Sequence, residues 1–304
     1  MLRSISRCLC VLALAGCDTP DPPMDTGRDA RALDAGMECA PIDNAGVDVA
    51  TGAFWAGQRF NPQSEWLAVI RYEGLSPVGI SVLDFCGESI AEVDTTDIAG
   101  TYLAWADERT IYFGGGAGIM RVSIGGGGGA PTMLLADADS FDVSPDDGTI
   151  VFSRDGDLHL YDVDTMAETD LSVTGTFPRY SPSGTKIAFL DAGLLKVLTL
   201  AGSSVEDGPM IGTQVFQPFD WTANDFSLGI KSTPGIDAVE FDPELGVITR
   251  TVANVGDVID IDIAPDGRFM TFRRNGMRGF TVYGVPERPD MPVFDSGLPE
   301  DAGR

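Results

Sequence analysis

Histidine is almost missing: His159 is the only imidazole in 304 residues. A Ser-His-Asp triad would have to use it. It alternates within Asp157-Leu158-His159-Leu160-Tyr161, which reads as an ordinary strand. No Gly-x-Ser-x-Gly elbow and no His-Glu-x-x-His pair occurs. Positive charge is also scarce, with 20 Lys plus Arg against 46 Asp plus Glu and a formal net charge of -26. Such a surface repels phosphate backbones, so nucleic acid is excluded as a partner. It favours solubility and leaves cations or basic surfaces open. No stretch has convincing helical periodicity. Long apolar runs are absent too. The longest near the start, Cys8 to Ala15, is far below the roughly 20 residues of a membrane span.

That short run has a meaning of its own. Arg3 and Arg7 precede it, and Gly16 and Cys17 follow, which is the layout of a secretory signal. Leu14-Ala15-Gly16-Cys17 resembles the bacterial lipobox. The resemblance implies cleavage after residue 16 and acylation of the Cys17 thiol. Each buried methylene then adds about 0.8 kcal/mol of membrane affinity. An ordinary signal peptide with an incidental Cys17 is the alternative. Asp18 resembles an inner-membrane retention signal of enteric bacteria, a rule that differs between bacterial groups. The expected location is therefore the cell envelope, at the inner or outer membrane.

Residues 17–38 are rich in Asp and Pro and poor in large apolar residues, which predicts a flexible acidic linker. The last segment, Asp290 to Arg304, has a similar composition and is expected to fray. With residues 1–16 as the signal, 39–289 remain for a folded domain. Cys8 and Cys10 leave with the signal and Cys17 takes lipid. Cys39 and Cys86 remain, an even pair suited to a disulfide in an oxidising compartment, with two free buried thiols as the alternative.

From residue 57 the chain repeats itself. The leading apolar residues Phe60, Trp105, Val143, Tyr180, Trp221 and Ile263 stand 45, 38, 37, 41 and 42 positions apart. Each runs into a turn such as Ser144-Pro145-Asp146, Ser181-Pro182-Ser183-Gly184 or Ala264-Pro265-Asp266-Gly267. Proline presets one turn torsion, Asp bonds the turn backbone and Gly tolerates positive φ. Short strands follow, such as Ile150-Val151-Phe152, then Leu158 to Val163, Leu195 to Leu198 or Phe280 to Tyr283. A period near forty with this content predicts an all-β, six-bladed β-propeller preceded by a disordered tether. A β-sandwich with shared turn chemistry is the alternative.

Val143-Ser144-Pro145-Asp146, Tyr180-Ser181-Pro182-Ser183-Gly184, Ile263-Ala264-Pro265-Asp266-Gly267 and Leu160-Tyr161-Asp162-Val163-Asp164 resemble the repeat of TolB-type, WD40-like propellers, over about residues 57–285. Repeats one, two and five depart from it, at Asn61-Pro62-Gln63-Ser64, Ala106-Asp107-Glu108 and Thr222-Ala223-Asn224-Asp225. The resemblance implies a binding scaffold and assigns no catalytic residue. Closing the ring needs a strand from the opposite end of the chain. Either Val47 to Phe54 or a stretch near Val293-Phe294 supplies it, and the sequence does not choose.

The glycine runs Gly125 to Gly129 and Gly114 to Gly116 lack the Lys-Ser/Thr of a phosphate loop and read as flexible hairpin tips. Ser144-x-Asp146-x-Gly148-Thr149 resembles a sialidase Asp-box, without the arginine cluster those enzymes need. The residues just before the leading apolar positions are Arg59, Ala104, Asp142, Arg179, Asp220 and Asp262. Innermost propeller strands surround a central channel, so Asp142, Arg179, Asp220 and Asp262 are candidate channel residues for a polar or cation site. The alternative is that they face between blades and bond to turns or each other. No cofactor is expected, no catalytic residue is assigned, and a metal is left undecided. The function predicted is an envelope-anchored propeller that binds a protein partner. The alternative is an envelope hydrolase or lyase using the channel.

Overall fold

The computed structural model describes residues 46–49 and 54–285, apart from 126–128, 147, 201–203, 208–218, 232–234, 243–245, 254 and 275–278. The expected signal (residues 1–16), Cys17, the expected linker (17–38), Cys39 and the segment from Asp290, with Val293-Phe294 in it, lie outside the described residues.

The described residues form six four-stranded antiparallel sheets, the blades of a β-propeller. Blade one is β2 (Phe54–Phe60), β3 (Leu67–Glu73), β4 (Ser76–Leu83) and β5 (Ser89–Asp94), counting β1 (Gly46–Val49) ahead of them. Blade two is β6 (Leu103–Trp105), β7 (Thr110–Gly115), β8 (Gly118–Ser123) and β9 (Thr132–Ala136). Blade three is β10 (Ser140–Val143), β11 (Thr149–Arg154), β12 (Asp157–Asp162) and β13 (Glu168–Thr174). Blade four is β14 (Thr176–Tyr180), β15 (Lys186–Asp191), β16 (Leu194–Thr199) and β17 (Ser204–Asp207). Blade five is β18 (Phe219–Trp221), β19 (Ser227–Lys231), β20 (Ile236–Asp242) and β21 (Gly246–Ala253). Blade six is β22 (Val258–Ile263), β23 (Phe269–Arg274) and β24 (Phe280–Gly284), completed by β1.

The ring therefore closes with the amino-terminal strand. Gly46–Val49 pairs antiparallel with β24, Gly46 opposite Tyr283 and Val49 opposite Phe280. This settles the choice between the two ends, although the closing strand stops at Val49 and Phe54 opens blade one. Asp48 accepts a hydrogen bond from the Thr281 hydroxyl at 2.6 Å. Val49 is buried with Phe60, Leu67, Phe85, Phe269 and Phe280, and Phe85 stacks obliquely on Phe269 at 5.1 Å.

Burial explains why the repeats read as they do. Second strands are covered on both faces by neighbouring blades, so Ile150-Val151-Phe152-Ser153 is continuously buried. The outermost β13 shows an alternating, mostly exposed pattern. Six apolar clusters fill the six blade junctions, each drawing side chains from adjacent blades. No blade buries both faces alone, which is why the repeats exist as a ring.

The turn chemistry is as read, and the departing repeats substitute for it. Ser144 and Ser181 hydroxyls accept the N–H of Thr149 and Lys186. In blade one Asn61 does this for Glu65 and Trp66, both at 2.8 Å. Asp266, Asn224 and Asp107 each accept the N–H two residues on. Ser64 replaces the turn glycine at φ 60°, and its hydroxyl accepts the Asp266 N–H of blade six.

Gly267 shows why glycine normally stands there. Its φ is +73°, and a Cβ would sit 2.5 Å from the Ala223 Cβ of the preceding blade. Gly256 has φ +85° but open space around it. Gly267→Ala should therefore cost about 2–4 kcal/mol, and Gly256→Ala about 1 kcal/mol. Urea unfolding of both variants checks this, and equal costs would show that the blade contact does not matter.

One expectation is corrected. Gly114 and Gly115 are buried at the end of β7, and only Gly116 lies in the exposed hairpin turn to β8. A Cβ on Gly114 would lie 2.7 Å from the Ala99 carbonyl oxygen, and one on Gly115 would lie 2.5 Å from Met120 Cγ. These glycines permit close packing, which composition alone does not distinguish from a loose loop. Gly125 does lie in the connection between β8 and β9, at φ +86°.

Candidate functional site

Each innermost strand ends on a residue facing the axis followed by an apolar residue packed in a junction. The chain thereby delivers Arg59, Ala104, Asp142, Arg179, Asp220 and Asp262 to one cavity of about 360 Å³. It opens where the innermost strands end. Its rim carries Pro62, Pro145, Pro182 and Pro265, all exposed. Phe60, Trp105, Tyr180 and Trp221 also line it. At the opposite end a smaller cavity of about 30 Å³ is lined by Tyr102, Phe177, Phe219 and Asp260. Arg59 and Arg179 line both cavities, so they stand at the neck between them.

The axial residues line the cavity, and three of them, Asp142, Asp220 and Asp262, also stitch blades together. Asp142 accepts the Tyr180 N–H at 2.8 Å, Asp220 the Ile263 N–H at 2.8 Å, and Asp262 the Phe60 N–H at 2.7 Å. In each case the carboxylate bonds the next blade. Two other junctions use an indole instead. Trp105 Nε1 donates to the Arg59 carbonyl at 3.1 Å, and Trp221 Nε1 donates to the Arg179 carbonyl at 3.0 Å. The remaining junction has Ala104, which packs among Phe141 and Val143. The indole donors were not legible as such. The two Trp residues looked like any other leading apolar position, and only their N–H distinguished them.

The electrostatics follow from burial. Asp262 is 5% exposed, and its carboxylate lies 3.3 Å from Arg59 Nη1. Burial and the nearby Asp220 raise the Asp262 pKa well above the usual carboxylate range, against the pull of Arg59. Burial raises Asp220 as well, opposed by Arg59 and by the Ile263 and Trp221 N–H groups, and its titration is linked to that of Asp262. Burial pushes Asp142 up to about 7, opposed by the Tyr180 N–H and by Arg59. Burial works against the Arg59 charge, but Asp262, Asp220 and Asp142 outweigh it and raise its pKa. At the smaller cavity, burial raises Asp260, whose carboxylate pairs with Arg273 at 2.9 Å.

Among the described residues no three His, Cys, Asp or Glu side chains converge to hold a metal ion. His159 lies away from the cavity on β12, stacked on Phe152 at 5.2 Å with Nδ1 3.4 Å from Glu168. The Asp-box-like residues form the blade-three turn, where the Ser144 hydroxyl and the Gly148 N–H hold the exposed Asp146 below the usual carboxylate range.

No protein-family model matches the chain, and no curated protein sequence does. Solved structures do share its fold. A chain of "Crystal Structure of Mitotic Checkpoint Complex" aligns with a TM-score of 0.55 at 10% identity, covering 82% of this chain and 97% of that one. The β-propeller domain of Myceliophteria thermophila Cps50 (Swd1) aligns with a TM-score of 0.53 at 10% identity, covering 76% and 83%. The C-terminal WD40 domain of Sif2 is more distant, at a TM-score of 0.44 and 10% identity, and nothing rests on it. At this identity the likeness establishes the β-propeller fold and nothing finer.

Proposed function

We propose that the chain is an exported lipoprotein, anchored through Cys17, whose propeller presents the cavity mouth to a protein partner at the cell envelope. The observation that carries the binding reading is the preformed mouth. A 360 Å³ opening with a rim of exposed prolines is already built, so a partner's side chain enters without ordering the scaffold. The lipobox-like Leu14-Ala15-Gly16-Cys17 supports the anchor. Residues 18–45 separate Cys17 from the ring-closing strand. A flexible chain of that length spans about 30 Å. Cys86 is disulfide-bonded, and Cys39 is the proposed partner, which would tie the start of the domain to blade one.

Labelling cells with a palmitate analogue tests the anchor. The wild-type chain should carry label and sediment with membranes, and Cys17→Ser should lose both properties. Label that survives Cys17→Ser would remove the lipoprotein reading.

One observation favours a second reading, a hydrolase or lyase. Asp220 and Asp262 are neighbouring carboxyls of raised pKa on the wall of an open cavity, an arrangement suited to acid–base chemistry. Both are also occupied in stitching blades. A substrate panel run with Asp220→Ala and Asp262→Ala separates the readings. Turnover by the wild type that both variants lose would favour the enzyme.

A further inference from the structure

Arg179 differs from the other charged groups at the neck. Arg59 has Asp262 beside it. Asp262 and Asp220 each accept a backbone N–H of the next blade, and Asp142 holds the N–H groups of Tyr180 and Val143. Arg179 has only long bonds from Nη1, to the Phe141 and Pro178 carbonyls at 3.3 Å. Among the described residues none places a carboxylate within ion-pair distance of it, and its Nε and Nη2 have no protein acceptor. The unused hydrogen-bonding capacity at the neck is therefore that of a donor fork.

We propose that the axial cavity binds a carboxylate, held by the Arg179 guanidinium at the neck. A planar carboxylate matches the guanidinium fork, which a point-charge ammonium would not. Entry is from the wide mouth, where Phe60, Trp105, Tyr180 and Trp221 offer apolar and aromatic wall to the body of the ligand. The overall charge of -26 opposes an anion at long range. At physiological salt that field decays over about 8 Å, whereas the neck itself holds two guanidinium groups. The carboxylate arrives either on a free organic acid or as the chain end of a polypeptide. The site does not depend on the partner reading above, because a free acid fills it equally well.

The charges facing Arg179 are Arg59, Asp142, Asp220 and Asp262 in the larger cavity and Asp260, paired with Arg273, in the smaller, with the hydroxyls of Tyr180 and Tyr102. Protonating Asp142, whose pKa burial pushes up to about 7, removes one negative charge from the neck that holds Arg59 and Arg179. Anion binding should then tighten as pH falls from 8 to 6.

The test is a titration of the full-length protein followed by tryptophan fluorescence, since Trp105 and Trp221 line the cavity and bond the carbonyls of the two neck arginines. The probes are succinate, N-acetyl-phenylalanine and its amide, and a decapeptide with a free or amidated carboxyl end. Saturable binding of the acids but not the amides is expected, tighter at pH 6 than at pH 8. Arg179→Gln should weaken it at least tenfold, with Arg179→Lys intermediate and both melting cooperatively. The small acids binding as well as the peptide identifies a free acid as the source. Binding of the free-ended peptide alone identifies a polypeptide end. Equal affinity for acid and amide, equal affinity in a folded Arg179 variant, or no saturable response to any probe would overturn the site. None of these results bears on acylation of Cys17.

Discussion

Arg59→Met should destabilise the folded protein by about 3–5 kcal/mol at neutral pH, the usual cost of removing one partner from a buried ion pair. The methionine fills much of the arginine volume, so the loss is electrostatic rather than a cavity effect. What remains is Asp262, buried near Asp220 and without its ion-pair partner. Asp262→Asn in the same chain keeps an acceptor for the Phe60 N–H and removes the stranded charge. The double variant should recover at least half of the loss. Urea unfolding with an unchanged slope measures this. A cost below about 1 kcal/mol would mean that water in the cavity, rather than Arg59, compensates the axial carboxylates.

Stability should also fall as pH rises between about 4 and 7. The Asp142 carboxyl has a raised pKa in the fold, so the folded state holds more protons than the unfolded state in this window. Stability is then greatest below the window and declines until pH passes about 7. Asp220, Asp262 and Asp260 shift in the same direction. Asp142→Asn removes one of these charges while retaining an acceptor for Tyr180 N–H. At pH 8 it should stabilise the protein by about 2–4 kcal/mol, and at pH 4 it should have little effect. Melting curves across pH distinguish this from general relief of the net charge, which Asp142→Asn scarcely alters. A pH-independent effect of the substitution would show that Asp142 is ionised throughout.

The fold was legible because ring packing leaves a mark at every fortieth position. Ser181-Pro182-Ser183-Gly184 and Ala264-Pro265-Asp266-Gly267 announce turns through intrinsic torsional preference, which needs no tertiary context. Repeats one, two and five were harder. Asn61 and Thr222 close the same five-residue backbone bond as Ser144 and Ser181, and Ala106 closes one a residue shorter, so similar turns are written in different letters. Ring closure by Gly46–Val49 was visible only as one of two options, because pairing is set by chain geometry and not by composition. The axial residues were found by register alone: a residue just before each junction-packing position faces the axis. Register did not show that Asp142, Asp220 and Asp262 each bond the next blade, nor that Arg179 would be left without a carboxylate. Those depend on side-chain direction within 3 Å, which one sequence does not encode locally.

The reading of the ring as a display of its cavity mouth is tested most directly by photocrosslinking in cells. Photoreactive residues at Pro145, Pro182 and Pro265 report on the exposed rim of the mouth. The same residues at Leu75 and Leu194, which are 93% and 51% exposed, report on hairpins between second and third strands, at the far end of the ring. One common protein adduct from the three rim positions, and none from the two hairpins, is the result predicted. An adduct from the hairpins with none from the rim would contradict it.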